Sequence, residues 1–532
     1  IRYSGKGVLP LRVLKALYYG TLINCVVMAM VLVAAVRIAE VFLPWHEWLA
    51  AGLFDPIVGF VAAIGLDLGG SVTGLAPDIA TANNLISILL ILGFTALYST
   101  TGGLRSVIAT DVLQFGLAMA GTLFYGVLVI REAGGLGGIV DRIVDLYGVD
   151  LTNKMLSFGA PSGELLMPFL IVIALQWLFQ MNSDGTGYLA QRSMACKTDR
   201  DARIAGILFT WAQVLVRSLF WLLIGVGVLV LYPFDPAQMT EPGFVASREI
   251  LFVTGIDDLL PPGIRGLMLT GLLAALASTL DTHLNWGASY WSNDIYSRLV
   301  CQEWRGREAS SRELVIAARL SNILILVIAL AIMVNLGSIQ EAWTLSLLFG
   351  AGMGAVLILR WLWERINLYS ELASIVVSIV VAFILLNTVE EEWLRLLIMA
   401  VSSTVAAVGI TFVTPATDER LLTGFYRRVQ PMGWWSKTAA AAGDDASLPM
   451  RDFRSRMGVT LVSAASLFCL LIGLGRLLFQ APASSTVVTW IFLIAGLALI
   501  PVWWVWGVRA EDVGVQRNVD RPSTERIAKD RM

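Results

Sequence analysis

The chain has 532 residues, 57% hydrophobic by type and only 15% charged, with 18 Trp and 48 Gly against 2 His. Soluble domains carry roughly a quarter charged residues, so this balance, with a mean hydropathy of +0.74, indicates a polytopic membrane protein. A net charge of −2 excludes a basic nucleic-acid surface, and no nucleic-acid partner is expected.

Cys25, Cys196, Cys301 and Cys469 form no close-spaced pair for zinc and no disulfide framework, so they read as free thiols. Two histidines far apart in sequence give histidine catalysis or a histidine metal cluster little raw material, and no enzyme activity is expected. The first residues, Ile1-Arg-Tyr-Ser-Gly-Lys6, have no signal-peptide n-region or cleavage site and read as an interior juncture, so an N-terminally incomplete chain is expected.

A bilayer core of roughly 30 Å takes about 20 mostly apolar helical residues. Twelve runs meet that need, near 14–39, 82–100, 106–131, 164–184, 204–231, 264–296, 313–336, 340–362, 368–388, 392–413, 457–479 and 485–507. Runs of that length are helices and not the alternating ten-residue strands of a barrel, so the fold class is all-α. The apolar segment 50–75 carries Asp55, Pro56 and Asp67 and reads as an extramembrane or re-entrant element.

If residue 1 faces the cytoplasm and the spans alternate, most of the 38 Lys and Arg fall on cytoplasmic segments, as the positive-inside rule requires. The outer segment 40–82 holds Glu40, Glu47, Asp55, Asp67 and Asp78 with no Lys or Arg. The expectation is a multi-pass protein of the inner (plasma) membrane, surrounded by lipid, with its C-terminus cytoplasmic. Its parts are a core over 1–413, a basic cytoplasmic loop over 414–456, two helices over 457–507 and a polar tail over 508–532. Trp434-Trp435 and Trp503-Trp504-x-Trp506 read as interfacial belts.

Three strings carry more than hydropathy. Tyr98-Ser-Thr-Thr-Gly102-Gly103-Leu-Arg-Ser-Val-Ile-Ala-Thr110-Asp111-Val-Leu-Gln114 joins two spans through a Gly-Gly reversal. Gly271-Leu-Leu-Ala-Ala275-Leu-Ala-Ser278-Thr279-Leu-Asp281-Thr-His-Leu-Asn285 puts hydroxyls into an apolar helix, and Gln191-Arg192-Ser-Met-Ala-Cys-Lys197 follows the fourth run. With Leu359–Asn367, Tyr369-Ser-Glu371 and Thr414–Pro431, these strings resemble a bacterial branch of the sodium/solute symporter family, in the family's order.

The resemblance implies the LeuT-type architecture, two inverted five-helix repeats with substrate and sodium near the membrane midplane. It places 14–39 as the third core helix, so the first core helices are expected upstream of Ile1. It also implies sodium-coupled symport of a small polar organic solute such as a sugar, amino acid or carboxylate, by alternating access. The alternative is a non-transporting membrane sensor of the same fold. No feature of the sequence fixes an oligomeric state.

For the ion, the resemblance points to the Ala275 carbonyl and the Ser278 and Thr279 hydroxyls, hard oxygen donors of the kind Na⁺ takes. Without the resemblance, Ser and Thr in a membrane helix equally read as back-bonded to their own backbone. Asp111 stands either on the ion's inward route or as a cap at a helix start. Gln176, Gln180 and Asn182 are the candidate substrate contacts, with Asp184 weaker, and Gly185 and Gly187 would let that helix unwind. Arg217, a charge inside a span, calls for a substrate anion or a buried partner. His283 reads as packed or hydrogen-bonded, with proton coupling as the alternative.

Overall fold

The computed structural model describes residues 2–3, 5, 7–68, 74–99, 104–161, 163–178, 192–241 and 243–509, without the side chains of 96–99, 104–110, 177–178 and 509. Among these residues every extended element is a helix, and one isolated bridge pairs Trp363 with Trp434. Among the described residues eleven helices are long and apolar enough to cross a membrane.

In chain order the principal helices are α1 (Val8–Phe42), α2 (Ala51–Ile64), α3 (Pro77–Ser99), α4 (Leu104–Glu132), α5 (Gly135–Met155), α6 (Leu166–Leu178), α7 (Asp199–Leu231) and α8 (Pro262–Trp304). They continue with α9 (Ser311–Met333), α10 (Ile339–Leu362), α11 (Leu368–Thr388), α12 (Glu392–Val413), α13 (Glu419–Val429), α14 (Leu448–Leu478) and α15 (Thr486–Val508). The apolar segment after α1 is indeed too short to span: α2, at 14 residues, reaches about 21 Å at 1.5 Å per residue. Of the run predicted over 164–184, the structure describes the 3-10 turn Gly163–Leu165 and α6, and residues 179–184 lie outside the described part of the chain.

Helix starts follow local chemistry. Ser310 caps α9 in a reciprocal box with Glu313, Ser338 caps α10 through the Glu341 amide, and Asn367 caps α11 in a box with Ser370. These caps satisfy amides that would otherwise meet lipid or protein unpaired.

Two hydrophobic cores are the largest among the described residues. One gathers Tyr18, Ile23, Phe349, Met353, Ile375 and Met399 from α1, α10, α11 and α12, and the other gathers Met28, Leu32, Ile88, Leu280, Ile325 and Met333 from α1, α3, α8 and α9. Helix α1 thus belongs to both. At the basic end of the bundle Glu371, fully buried, accepts from the Tyr3 hydroxyl at 2.6 Å, pairs with Arg360 at 3.5 Å and is ion-paired with Lys15. That carboxylate ties α1, α10 and α11 together, and its cost of burial is offset only because several cations and donors surround it.

Two expectations change. The segment 414–456 is not simply a loop: it contains α13, a short helix Ser436–Ala442 and the first turns of α14. Trp435 is not an interfacial residue but fully buried, stacked on Phe425 at 5.7 Å and donating from Nε1 to the Trp361 carbonyl at 2.7 Å. The amphipathic α13 needs an apolar floor for Leu422, Phe425 and Tyr426, and Trp435 with Ala439 supplies it. Its neighbour Trp434 stays exposed.

Candidate functional site

The site begins with small residues. Helices α4 and α8 run antiparallel, and a Cβ at Gly271 would lie 3.0 Å from the Ala118 Cα, while one at Gly121 would lie 3.0 Å from Met268 Sδ. Membrane helices approach this closely only where one side lacks a side chain. Seven residues along each helix from the Gly271–Ala118 contact stand Ser278 and Asp111. Seven residues are close to two turns, so the same faces meet again there.

At that level the Ser278 hydroxyl donates to Asp111 Oδ1 at 2.6 Å. Arg192 Nη2 lies 3.7 Å from Asp111 Oδ2 and 3.4 Å from the Thr282 hydroxyl, which it donates to. A carboxylate, a guanidinium and two hydroxyls therefore meet between α4, α8 and the segment preceding α7. Asp111 is about a quarter exposed at its side chain, so the cluster is neither sealed from water nor a surface pair.

Thr279 donates to the Ala275 carbonyl at 2.8 Å, the back-bond to its own helix that the alternative reading expects, while Ser278 reaches across to Asp111 instead. Ala275 is exposed on α8 and Thr279 half-buried. Each hydroxyl spends its proton in these bonds and keeps its lone pairs, whereas the Ala275 carbonyl already accepts from the Thr279 hydroxyl and from the helix's own amide, so the oxygens left open are those of Ser278, Thr279 and Asp111. Oxygen donors of this kind suit a hard cation and not a soft metal. Among the described residues no group of three His, Cys, Asp or Glu could hold a metal ion.

Asp111 is not a helix cap. Helix α4 starts at Leu104, about two turns earlier, which leaves the carboxylate free to face α8. Arg192 and Thr282 were not singled out as site residues in the sequence. The available signals were Arg192 in the Gln-Arg string and Thr282 one turn beyond Ser278.

Below the cluster His283 is held, not exposed. Asn24 Nδ2 donates to the His283 carbonyl at 2.9 Å, and Asn24 Oδ1 lies 2.6 Å from His283 Nδ1. Because the Asn24 amide donates to the backbone, its oxygen accepts from the ring, which puts the proton on Nδ1. Both residues are buried, and Gly287 and Gly20 keep α1 and α8 close enough for the pair to form.

Gln176 is half-buried on α6, a helix that packs against α10 and α12, whereas Gln180, Asn182, Asp184, Gly185 and Gly187 lie outside the described residues. The Arg217 guanidinium sits over the Trp221 ring of its own helix, 5.9 Å from the centroid, in a cation–π contact, and among the described residues it forms no ion pair.

Comparison with known proteins adds to this geometry. The sodium:solute symporter family model matches residues 54–378. The sodium/glucose cotransporter 1 of Oryctolagus cuniculus is 25% identical over 313 residues, covering 53% of this chain and 46% of that protein. A sodium/glucose cotransporter of Vibrio parahaemolyticus is 27% identical over 316 residues, 57% of each chain, and an osmoregulated proline transporter of Bacillus subtilis is 27% identical over 320 residues, 58% of each. The chain spans about half the length of the curated relatives it matches. A solved structure of a Na⁺-coupled sialic acid symporter, in a substrate-bound outward-open state, aligns with a TM-score of 0.47 at 17% identity, over 78% of this chain and 92% of that one. The family match runs from α2 into α11 and takes in both helices that carry the Asp111–Ser278 contact, and the chain belongs to the sodium:solute symporter family, a family of transporters and not of enzymes.

Proposed function

We propose that this protein acts in sodium-coupled secondary active symport of a small polar organic solute, a sugar, amino acid or carboxylate, by alternating access on a LeuT-type scaffold. The observation that carries the reading is the Ser278–Asp111 contact at 2.6 Å beside the Ala275–Thr279 stretch of α8. Sodium, as co-substrate, takes the Ala275 carbonyl and the Ser278 and Thr279 hydroxyls, and Asp111 offers the charge toward which it leaves. Arg192 competes for the same carboxylate and limits how long the ion is held there. Gln176, Gln180 and Asn182 supply amide donors and acceptors for the solute.

The energetics suit the task. One inward charge gains roughly 2.3 kcal/mol per 100 mV, and a tenfold sodium gradient adds about 1.4 kcal/mol. Together they support solute accumulation on the order of 500-fold per ion.

The test is uptake of labelled sugars, amino acids and carboxylates into proteoliposomes by the intact protein, with and without an inward sodium gradient. Accumulation of one class that requires the gradient supports the reading. Accumulation of none, with solute still binding, favours a sensor.

A further inference from the structure

A cleft of about 560 Å³, unrelated to the ion site, opens where α9 and α11 end and α10 and α12 begin. These four termini share the end of the bundle opposite the basic segments. Along its depth the cleft is walled by Val327, Ile332, Leu386 and Leu396. At its mouth stand Glu341, Thr344, Glu392 and Arg395. Val327 is 57% exposed and Leu386 42%, so the cleft opens sideways along its apolar wall as well as at its polar end.

The polar end carries both signs of charge. Glu392 Oε1 accepts from the Thr344 hydroxyl at 2.8 Å, and Glu341 Oε2 accepts from the Gly337 amide at 2.8 Å, so each carboxylate is oriented by a neutral donor through one oxygen. Arg395 donates through Nε to the Val389 carbonyl, a bond that uses neither of its two terminal nitrogens. Carboxylates and a guanidinium stand at the helix ends with an apolar slot running inward from them, the arrangement that a border between headgroups and hydrocarbon favours.

We propose that this cleft binds a phospholipid with a zwitterionic, ammonium-bearing headgroup. The phosphate meets Arg395, the ammonium meets Glu392 and Glu341, and an acyl chain lies along Val327, Ile332 and Leu386. Charge complementarity selects this occupant. An anionic lipid such as phosphatidylglycerol satisfies Arg395 but sets its phosphate beside two carboxylates with nothing to neutralise them.

The test uses the intact protein in nanodiscs of equimolar phosphatidylethanolamine and phosphatidylglycerol, with retained lipid counted by native mass spectrometry after stepwise activation. Phosphatidylethanolamine should outlast phosphatidylglycerol by about tenfold in retained population, a difference of about 1.4 kcal/mol. Glu392→Gln keeps the acceptor for Thr344 and should erase that preference without lowering total lipid. Leu386→Trp fills the slot and should remove both lipids. Equal retention of the two lipids by the wild-type protein, an unchanged preference in Glu392→Gln, or a dimer mass that Leu386→Trp abolishes would each overturn the proposal.

Discussion

Asp111 and Ser278 meet at 2.6 Å because the helices that carry them touch seven residues away, at Ala118 and Gly271. The glycine sets the distance between α4 and α8, and the two-turn spacing aims the polar side chains at each other. Packing and site are therefore one construction.

The Asp111–Ser278 hydrogen bond should matter for sodium and not for stability. Interhelical hydrogen bonds in membranes contribute about 0.6 kcal/mol on average, too little to shift a thermal midpoint by more than a few degrees. Asp111→Asn keeps the size of the side chain and removes its charge. Its thermal midpoint in detergent should stay within that range, while the half-saturating sodium concentration for uptake rises on the order of 10-fold. A large fall in the midpoint with unchanged sodium dependence would assign Asp111 a structural role.

Gly271 and Gly121 should respond differently to added bulk. A Cβ at Gly271 would meet the Ala118 backbone at 3.0 Å, whereas one at Gly121 would meet first the sulfur of the flexible Met268 at 3.0 Å and the Met268 backbone only at 3.3 Å. Gly271→Val should cost about 1–3 kcal/mol and weaken sodium-dependent uptake by parting Asp111 from Ser278. Gly121→Ala should cost less. Differential scanning fluorimetry and uptake on the same preparations read both.

Asn24 is predicted to be a structural partner of His283. Asn24→Leu fills a similar volume but strands the Nδ1 proton in a buried place, a loss of about 1–3 kcal/mol, while the His283 carbonyl keeps its helical partner. If His283 instead served proton coupling, Asn24→Leu would alter the pH profile of uptake more than the thermal midpoint.

Glu371 should be among the most sensitive positions outside the site. Glu371→Ala leaves Lys15 and Arg360 facing each other in a buried setting, and removing one partner of such a cluster costs about 3–5 kcal/mol. Lys15→Met should cost less, because Arg360 and Tyr3 still hold the carboxylate. Folded yield and thermal midpoint should rank the two variants in that order.

Much of this was legible in the sequence, for identifiable reasons. Hydrocarbon thickness forces long apolar runs, so the spans stand out. The short α2 betrays itself through Asp55, Pro56 and Asp67. Ser278, Thr279 and Asp111 were visible as polar groups in motifs that resemble a family, but nothing in their spacing said that two of them touch. That contact needs the register of α4 against α8, which small residues such as Gly271 and Gly121 make possible and composition does not reveal. Trp435 misled because an aromatic beside basic residues has the signature of a membrane interface. Its burial depends on α13 folding over it, a tertiary event with only an amphipathic pattern to announce it.

The central claim is that α8 carries the coupling ion, and the most direct measurement is the sodium-activation curve of solute uptake for the intact protein beside Ser278→Ala/Thr279→Ala. Both substitutions remove only a hydroxyl or a hydroxyl and a methyl, and the helix keeps its backbone bonds. The account predicts folded protein whose half-saturating sodium concentration rises at least on the order of 10–100-fold, with accumulation lost at ordinary sodium. An activation curve that overlays the wild type would contradict it.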